Sequence, residues 1–214
     1  MEIIPAILEK DWSETEKKIK LIDGSVDWIQ LDVSDGKFTS SATWDNPQDL
    51  FLLKSDLSIE VHLMVNEPWL VAGSWFSSPA KRVVVQVETF ASPQSVRFGE
   101  LIFLAKRYGK EIVWAFKIET HWQNYEELLR KPDTRVLFLS VEPGRQGQTF
   151  DERVFDKIKT LKLAHSNVKI AVDGGINLDN IESIKSAGAD VAIVGSGVFS
   201  SSDPKGIIKQ FQEV

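Results

Sequence analysis

The stretch Val168–Gly197, VKIAVDGGINLDNIESIKSAGADVAIVGSG, decides the fold. It opens on a β-branched apolar run, Val168–Val172, and turns at Asp173-Gly174-Gly175. The amphipathic segment Ile181–Ala187 follows, and a second apolar run, Val191–Gly195, closes the stretch. Apolar run, glycine turn, helical period and apolar run together spell one β-α-β unit. Neither apolar run alternates with polar residues, as strands of a parallel sheet buried on both faces require.

The same grammar extends outward to both ends of the chain. Candidate strands are Ile3–Leu8, Trp28–Val33, Ile59–Met64, Arg82–Val87, Ile112–Phe116, Val136–Val141, Val168–Val172 and Val191–Gly195. Helical periods occupy Asp11–Ile22, Ser92–Tyr108, Asp151–Ala164, Ile181–Ala187 and Lys205–Gln212. Ser13 and Glu16 have the spacing of a capping box at the first of these. Trp44–Leu53 is the least regular interval, and its boundaries stay open. Repeated strand–helix alternation in 214 residues predicts one (β/α)₈ TIM barrel, a single domain over 1–214. An open doubly wound sheet is the competitor, but its glycine-rich first turn is missing from Pro5-Ala6-Ile7-Leu8-Glu9-Lys10-Asp11.

Composition narrows the function. The chain has no cysteine, which removes disulfides and thiolate-bound metal. A net charge of -6 argues against general binding to nucleic acid or a membrane surface. No apolar stretch is long enough to cross a bilayer, and the start reads as a strand rather than a leader, so a cytoplasmic protein is expected. An anionic ligand must then be held locally, by backbone amides at glycine turns and helix N-termini.

In a barrel of this kind, functional side chains stand at strand C-termini. Asp32 and Asp173 are carboxylates set in otherwise apolar strands, where burial demands a partner, a metal or a shifted pKa. His62 is the one histidine of three on a candidate strand, while His121 and His165 read as solvent-facing. With the two carboxylates it suits a divalent-metal or acid/base cluster. Glycine turns after the late strands supply a phosphate site: Gly144 and Gly147 in the loop Pro143–Gln148, Gly174 and Gly175, then Gly195 with Ser196.

In order and spacing, several of these segments resemble the ribulose-phosphate 3-epimerase family. They are Pro5-Ala6-Ile7-Leu8, Asp32-Val33-Ser34-Asp35-Gly36, Val61-His62-Leu63-Met64, Val141-Glu142-Pro143-Gly144, Val172-Asp173-Gly174-Gly175-Ile176 and Val194-Gly195-Ser196. The resemblance implies a ribulose-phosphate-binding barrel in which Asp32 and Asp173 are acid and base on opposite faces of a small phosphorylated sugar. It further implies that Asp32, His62 and Asp173 hold a divalent metal (zinc, iron, manganese or cobalt), with His62 also beside the substrate. The reaction implied is interconversion of ribulose 5-phosphate and xylulose 5-phosphate.

The departures from the family pattern gather at the same place. Gln30 stands where the family has a metal-binding histidine, and Ala6 where it has a serine. Ser34 and Leu139 replace two of three methionines, leaving Met64. The loop usually reading PGFGGQ is PGRQGQ, which introduces Arg145 and Gln146, and Lys37–Pro47 departs as well. Three alternatives follow: a paralogue acting on another ketose phosphate such as a hexulose 6-phosphate, a barrel that binds without turnover, and an aldolase or decarboxylase. An aldolase needs a Schiff-base lysine, for which Lys117 is the candidate, although it reads as a solvated loop residue. Seven tryptophans read mainly as helix-to-barrel packing, with an exposed subset expected at the interface of a homo-oligomer.

Overall fold

In a computed structural model describing residues 1–214, eight parallel strands close into a barrel in sequence order. They are β1 Glu2–Ile7, β2 Trp28–Ser34, β3 Ser58–Met64, β4 Arg82–Gln86, β5 Glu111–Phe116, β6 Arg135–Leu139, β7 Lys169–Asp173 and β8 Val191–Val194. β8 pairs with β1 through Glu2–Val191 to Pro5–Val194, which removes both sheet edges. The helices are α1 Trp12–Ile22, α2 Pro68–Phe76, α3 Val96–Arg107, α4 Glu126–Leu129, α5 Arg153–Ala164, α6 Ile181–Ala187, α7 Ser196–Phe199 and α8 Pro204–Glu213. The fold is the (β/α)₈ barrel that the alternation predicts, and no helix is long and apolar enough to cross a membrane.

Local differences from expectation have local causes. The Asp11 side chain caps α1 by accepting from the Glu14 amide, so Ser13 already lies inside the helix and the Ser13–Glu16 box does not form. The Ser95 side chain caps α3, which starts at Val96, later than the period Ser92–Tyr108 suggests. The irregular Trp44–Leu53 interval contains only a 3-10 helix, Pro47–Phe51, entered through the Asn46 side chain and Pro47. α2, PWLVAGSWF, carries no polar period to reveal it and starts on Pro68. None of the seven tryptophans is exposed: Trp44, Trp75, Trp114 and Trp122 are buried and Trp12, Trp28 and Trp69 half-buried. The expected exposed subset at an interface is therefore absent, because these rings pack between helices and barrel.

Strand residues alternate between two cores. A layer of 49 buried residues, including Leu31, Val61, Val83, Phe138 and Val172, lies between sheet and helices. A smaller cluster of nine, including Ile4, Val84, Val113, Leu137 and Ile193, fills the barrel interior. The inward positions are stratified. At the N-terminal end, buried Arg82 donates to Glu60 at 2.7 Å and Glu111 at 3.0 Å, with its guanidinium 4.1 Å from the centre of the Trp28 ring. Apolar side chains occupy the middle, and polar ones return at the C-terminal end.

Removing Arg82 strands Glu60 in the interior, where burial already pushes its carboxyl upward despite the guanidinium. Arg82→Met is expected to lower unfolding free energy by about 3 kcal/mol. Urea denaturation checks it, and a loss below about 1 kcal/mol would mean that the pair contributes no more than a surface one.

Candidate active site

Parallel register brings the polar side chains together. Asp32 on β2 lies opposite His62 on β3, and Asp173, the last residue of β7, lies opposite Leu139 of β6 and Ile193 of β8. Gln30 sits two residues before Asp32 and therefore on the same inward face. The Gln30 amide Nε2 donates to Asp32 Oδ1 at 2.8 Å and to Asp173 Oδ2 at 3.1 Å. His62 Nδ1 stands 3.4 Å from Asp32 Oδ1 and 3.9 Å from Asp173 Oδ2, too far for strong hydrogen bonds. His62 Nε2 meets the Gln86 amide nitrogen at 2.7 Å.

Electrostatics single out Asp173. Burial first, and then the neighbouring Asp32 charge, pushes Asp173 up to about 7, while His62 and Gln30 pull the other way. Burial opposes charge on His62, but the facing Asp32 and Asp173 carboxylates outweigh it and raise its pKa. Asp35 is held below the usual carboxylate range, because amides of Asn66, Phe38 and Lys37 more than offset its partial burial.

The donor set fits a divalent cation. One atom each of Asp32, His62 and Asp173 lies within 4.8 Å of the others, and buried His62 Nδ1 has no hydrogen-bond partner. Adjacent ligands on an ion with bonds of about 2.1 Å lie roughly 3.0–3.4 Å apart. The 3.4 Å between His62 Nδ1 and Asp32 Oδ1 is within that range.

The glycine turns line the other side of the same cleft. Asp32, His62 and Asp173 share it with Gly144, Gly147, Gly174, Gly175, Gly195 and Ser196. Gly174 has φ +109°, and a Cβ there would lie 2.3 Å from the Val141 side chain. Gly175 has φ +62°, and its Cβ would lie 2.6 Å from the Phe150 backbone nitrogen. Ser196 begins α7, where the Val198 and Phe199 amides bond the Gly195 carbonyl and those of Ser196 and Gly197 have no backbone acceptor. Gly144 packs against the Thr39 side chain, tying the loop after β6 to the one after β2. Arg145 and Gln146 are exposed on the rim, and Arg145 is the one lysine or arginine that lines the cleft.

Several residues escaped the sequence reading. Gln86 is fully buried in β4, and its signal, a polar residue closing the run RVVVQ, matches the signal of Asp32. The Ser140 hydroxyl donates to the carbonyls of Asp173 and Gly174 and so fixes the turn behind the carboxylate. Ser34, at a former methionine position, bonds Thr39 and the Ser41 carbonyl and holds the adjoining loop. His165 is not solvent-facing, since it pairs with Glu126 at 3.1 Å and packs edge-on to Trp122. Lys117 is half-buried between the Phe38 ring and Glu142, a rim residue of the cleft, and does not itself line the cleft.

Fold and site together define a (β/α)₈ barrel with two carboxylates and an imidazole on one side of its mouth and glycine turns on the other. The chain belongs to the ribulose-phosphate 3-epimerase family, whose model matches residues 2–199. It is 30% identical over 211 residues to the ribulose-phosphate 3-epimerase of Mycobacterium leprae, covering 96% of this chain and 91% of that protein. The Aquifex aeolicus enzyme of the same name is 31% identical over 207 residues, covering 94% and 90%. By structure, the chain resembles 3-hexulose-6-phosphate synthase from Salmonella typhimurium, with TM-score 0.71, 18% identity, and coverage of 100% and 97%. At that identity the likeness concerns the fold alone.

Because the Asp173 pKa is raised on folding, its protonated form favours the native state. Its contribution is full below about pH 4, the unfolded value, and is lost as pH rises to about 7. Melting temperatures of metal-free protein across that window are expected to fall more steeply for wild type than for Asp173→Asn. Equal slopes would show that Asp173 does not carry the proton.

Proposed function

We propose that the chain is a ketose-phosphate 3-epimerase that interconverts ribulose 5-phosphate and xylulose 5-phosphate. The observation that carries this reading is the convergence of two carboxyls and an imidazole beside glycine turns in one cleft. A hydrogen on C3, next to the C2 ketone, is acidic enough to remove when the resulting enediolate is stabilised. One carboxylate accepts that proton, and the other carboxyl returns one to the opposite face, inverting C3. A divalent ion held by Asp32, His62 and Asp173 would supply the electrophile for the enediolate oxygens.

The remaining residues orient and enclose the sugar. Backbone amides around Gly175, Gly195 and Ser196 would hold the phosphate without needing a positive surface, consistent with an acidic chain. Arg145, on the rim, would add a charged contact to the phosphate. Gln86 holds the His62 ring, and Ser140 holds the Asp173 turn, so both act as positioning residues.

With ribulose 5-phosphate and added zinc, iron, manganese or cobalt, wild type is expected to epimerise C3, and Asp32→Asn or Asp173→Asn to lower kcat about a thousandfold. Activity confined to a hexulose 6-phosphate would reassign the substrate. Saturable thermal stabilisation without turnover on any ketose phosphate would leave a binding barrel.

Arg145→Ala is expected to raise KM about tenfold with little change in kcat, as loss of a phosphate contact should. An unchanged KM in steady-state assays would make Arg145 a solvated loop residue.

A further inference from the structure

The side chain that departs most from the family pattern is also the one bonded to both carboxylates. Gln30 is fully buried, and its Nε2 hydrogens point at Asp32 and Asp173, while its Oε1 has no partner. The same is true two strands further round. Gln86 presents nitrogen to His62, and its Oε1 also lacks a partner. Either orientation of each amide leaves one of its atoms unpaired in the barrel. Orientation is therefore set by what the centre needs, hydrogens when it holds carboxylates alone and lone pairs when it holds a cation.

Half a turn of each amide exchanges nitrogen and oxygen with little movement of the chain. Gln30 Oε1 would then occupy the present Nε2 position, 2.8 Å from Asp32 Oδ1 and 3.1 Å from Asp173 Oδ2. Those separations approach the roughly 3.0 Å between adjacent ligands of an octahedral ion. Gln86 Oε1 would accept from His62 Nε2–H, leaving Nδ1, the atom that faces the carboxylates, with a free lone pair.

We propose that Gln30 is a two-state residue: its N–H bridges Asp32 and Asp173 in the metal-free protein, and its Oε1 becomes a fourth ligand when a divalent cation binds. This rests on the metal-assisted reading of the same site. It sets specificity, because three oxygens and one imidazole favour an oxygen-preferring ion such as manganese over zinc more than a two-imidazole set does. The bridge also weakens binding of any ion, because it must be broken on loading.

The test uses full-length, metal-stripped protein, with zinc and manganese dissociation constants from chelator competition and melting temperatures without metal. Gln30→His is expected to shift relative affinity towards zinc by about tenfold or more. Gln30→Glu removes the N–H bridge and adds a third carboxylate. It is expected to melt several degrees lower than wild type without metal, yet to bind manganese about tenfold tighter. Opposite movements of stability and affinity are not expected of a merely structural glutamine.

A relative affinity unchanged in Gln30→His would overturn the proposal, as would a Gln30→Glu protein in which stability and affinity do not move oppositely. If Gln30→His does not fold, Gln30→Glu decides alone. Failure of either ion to bind wild type also overturns it. Epimerase assays on the same preparations separate the two readings. Epimerisation with unmoved relative affinity removes only the role of Gln30. Shifted relative affinity without turnover leaves that role standing and removes the epimerase.

Discussion

Asp32 and Asp173 enter one end of a closed barrel from strands three steps apart, and their side chains meet over Gln30. Two carboxylates at that separation in a poorly solvated interior cannot both be ionised without compensation. Every polar residue around them answers that constraint. Gln30 offers two N–H bonds, His62 a nearby imidazole, and Asp173 retains a proton towards neutrality. A divalent cation would answer the same constraint more completely, so one donor set suits proton transfer and metal binding alike.

The barrel tolerates such a centre because its stability lies elsewhere. The apolar layer between sheet and helices holds 49 residues, whereas the inner cluster holds nine. Inside, an ionic floor of Glu60, Arg82 and Glu111 is separated from the polar mouth by a band of aliphatic side chains. The strands are fixed from outside and below, so the mouth can carry unpaired atoms without determining the fold. The loop after β6, tied to Thr39 through Gly144 and pinned by Gln148 on the carbonyls of Glu142 and Arg145, frames the side of the cleft lined by the glycine turns.

The barrel was legible in the sequence because strands buried on both faces leave continuous apolar runs such as Val191–Val194, and glycine turns mark where they end. What periodicity could not show were segments without period: α2 is apolar almost throughout, and Pro47–Phe51 is too short for a helical repeat. Asp32, His62 and Asp173 stood out as polar residues in apolar strands. Gln86 carries the same signal, but an uncharged amide raises no burial question as sharp as a carboxylate does. Gln30 stands out in the sequence only as a doubtful ligand, an amide at a metal-binding position. Its hydrogen bonds to both carboxylates depend on register between β2 and distant β7, which no local pattern encodes. His165 was misplaced for a similar reason, since Glu126 and Trp122 approach it only in the folded chain.

Isotope incorporation in D2O distinguishes two carboxyl groups serving opposite faces of C3, as proposed, from one group serving both. With two groups, the first epimerised product formed from ribulose 5-phosphate carries solvent deuterium at C3, while recovered substrate keeps its original hydrogen. Product that retains the substrate hydrogen would instead indicate one group serving both faces and exclude the two-carboxyl mechanism.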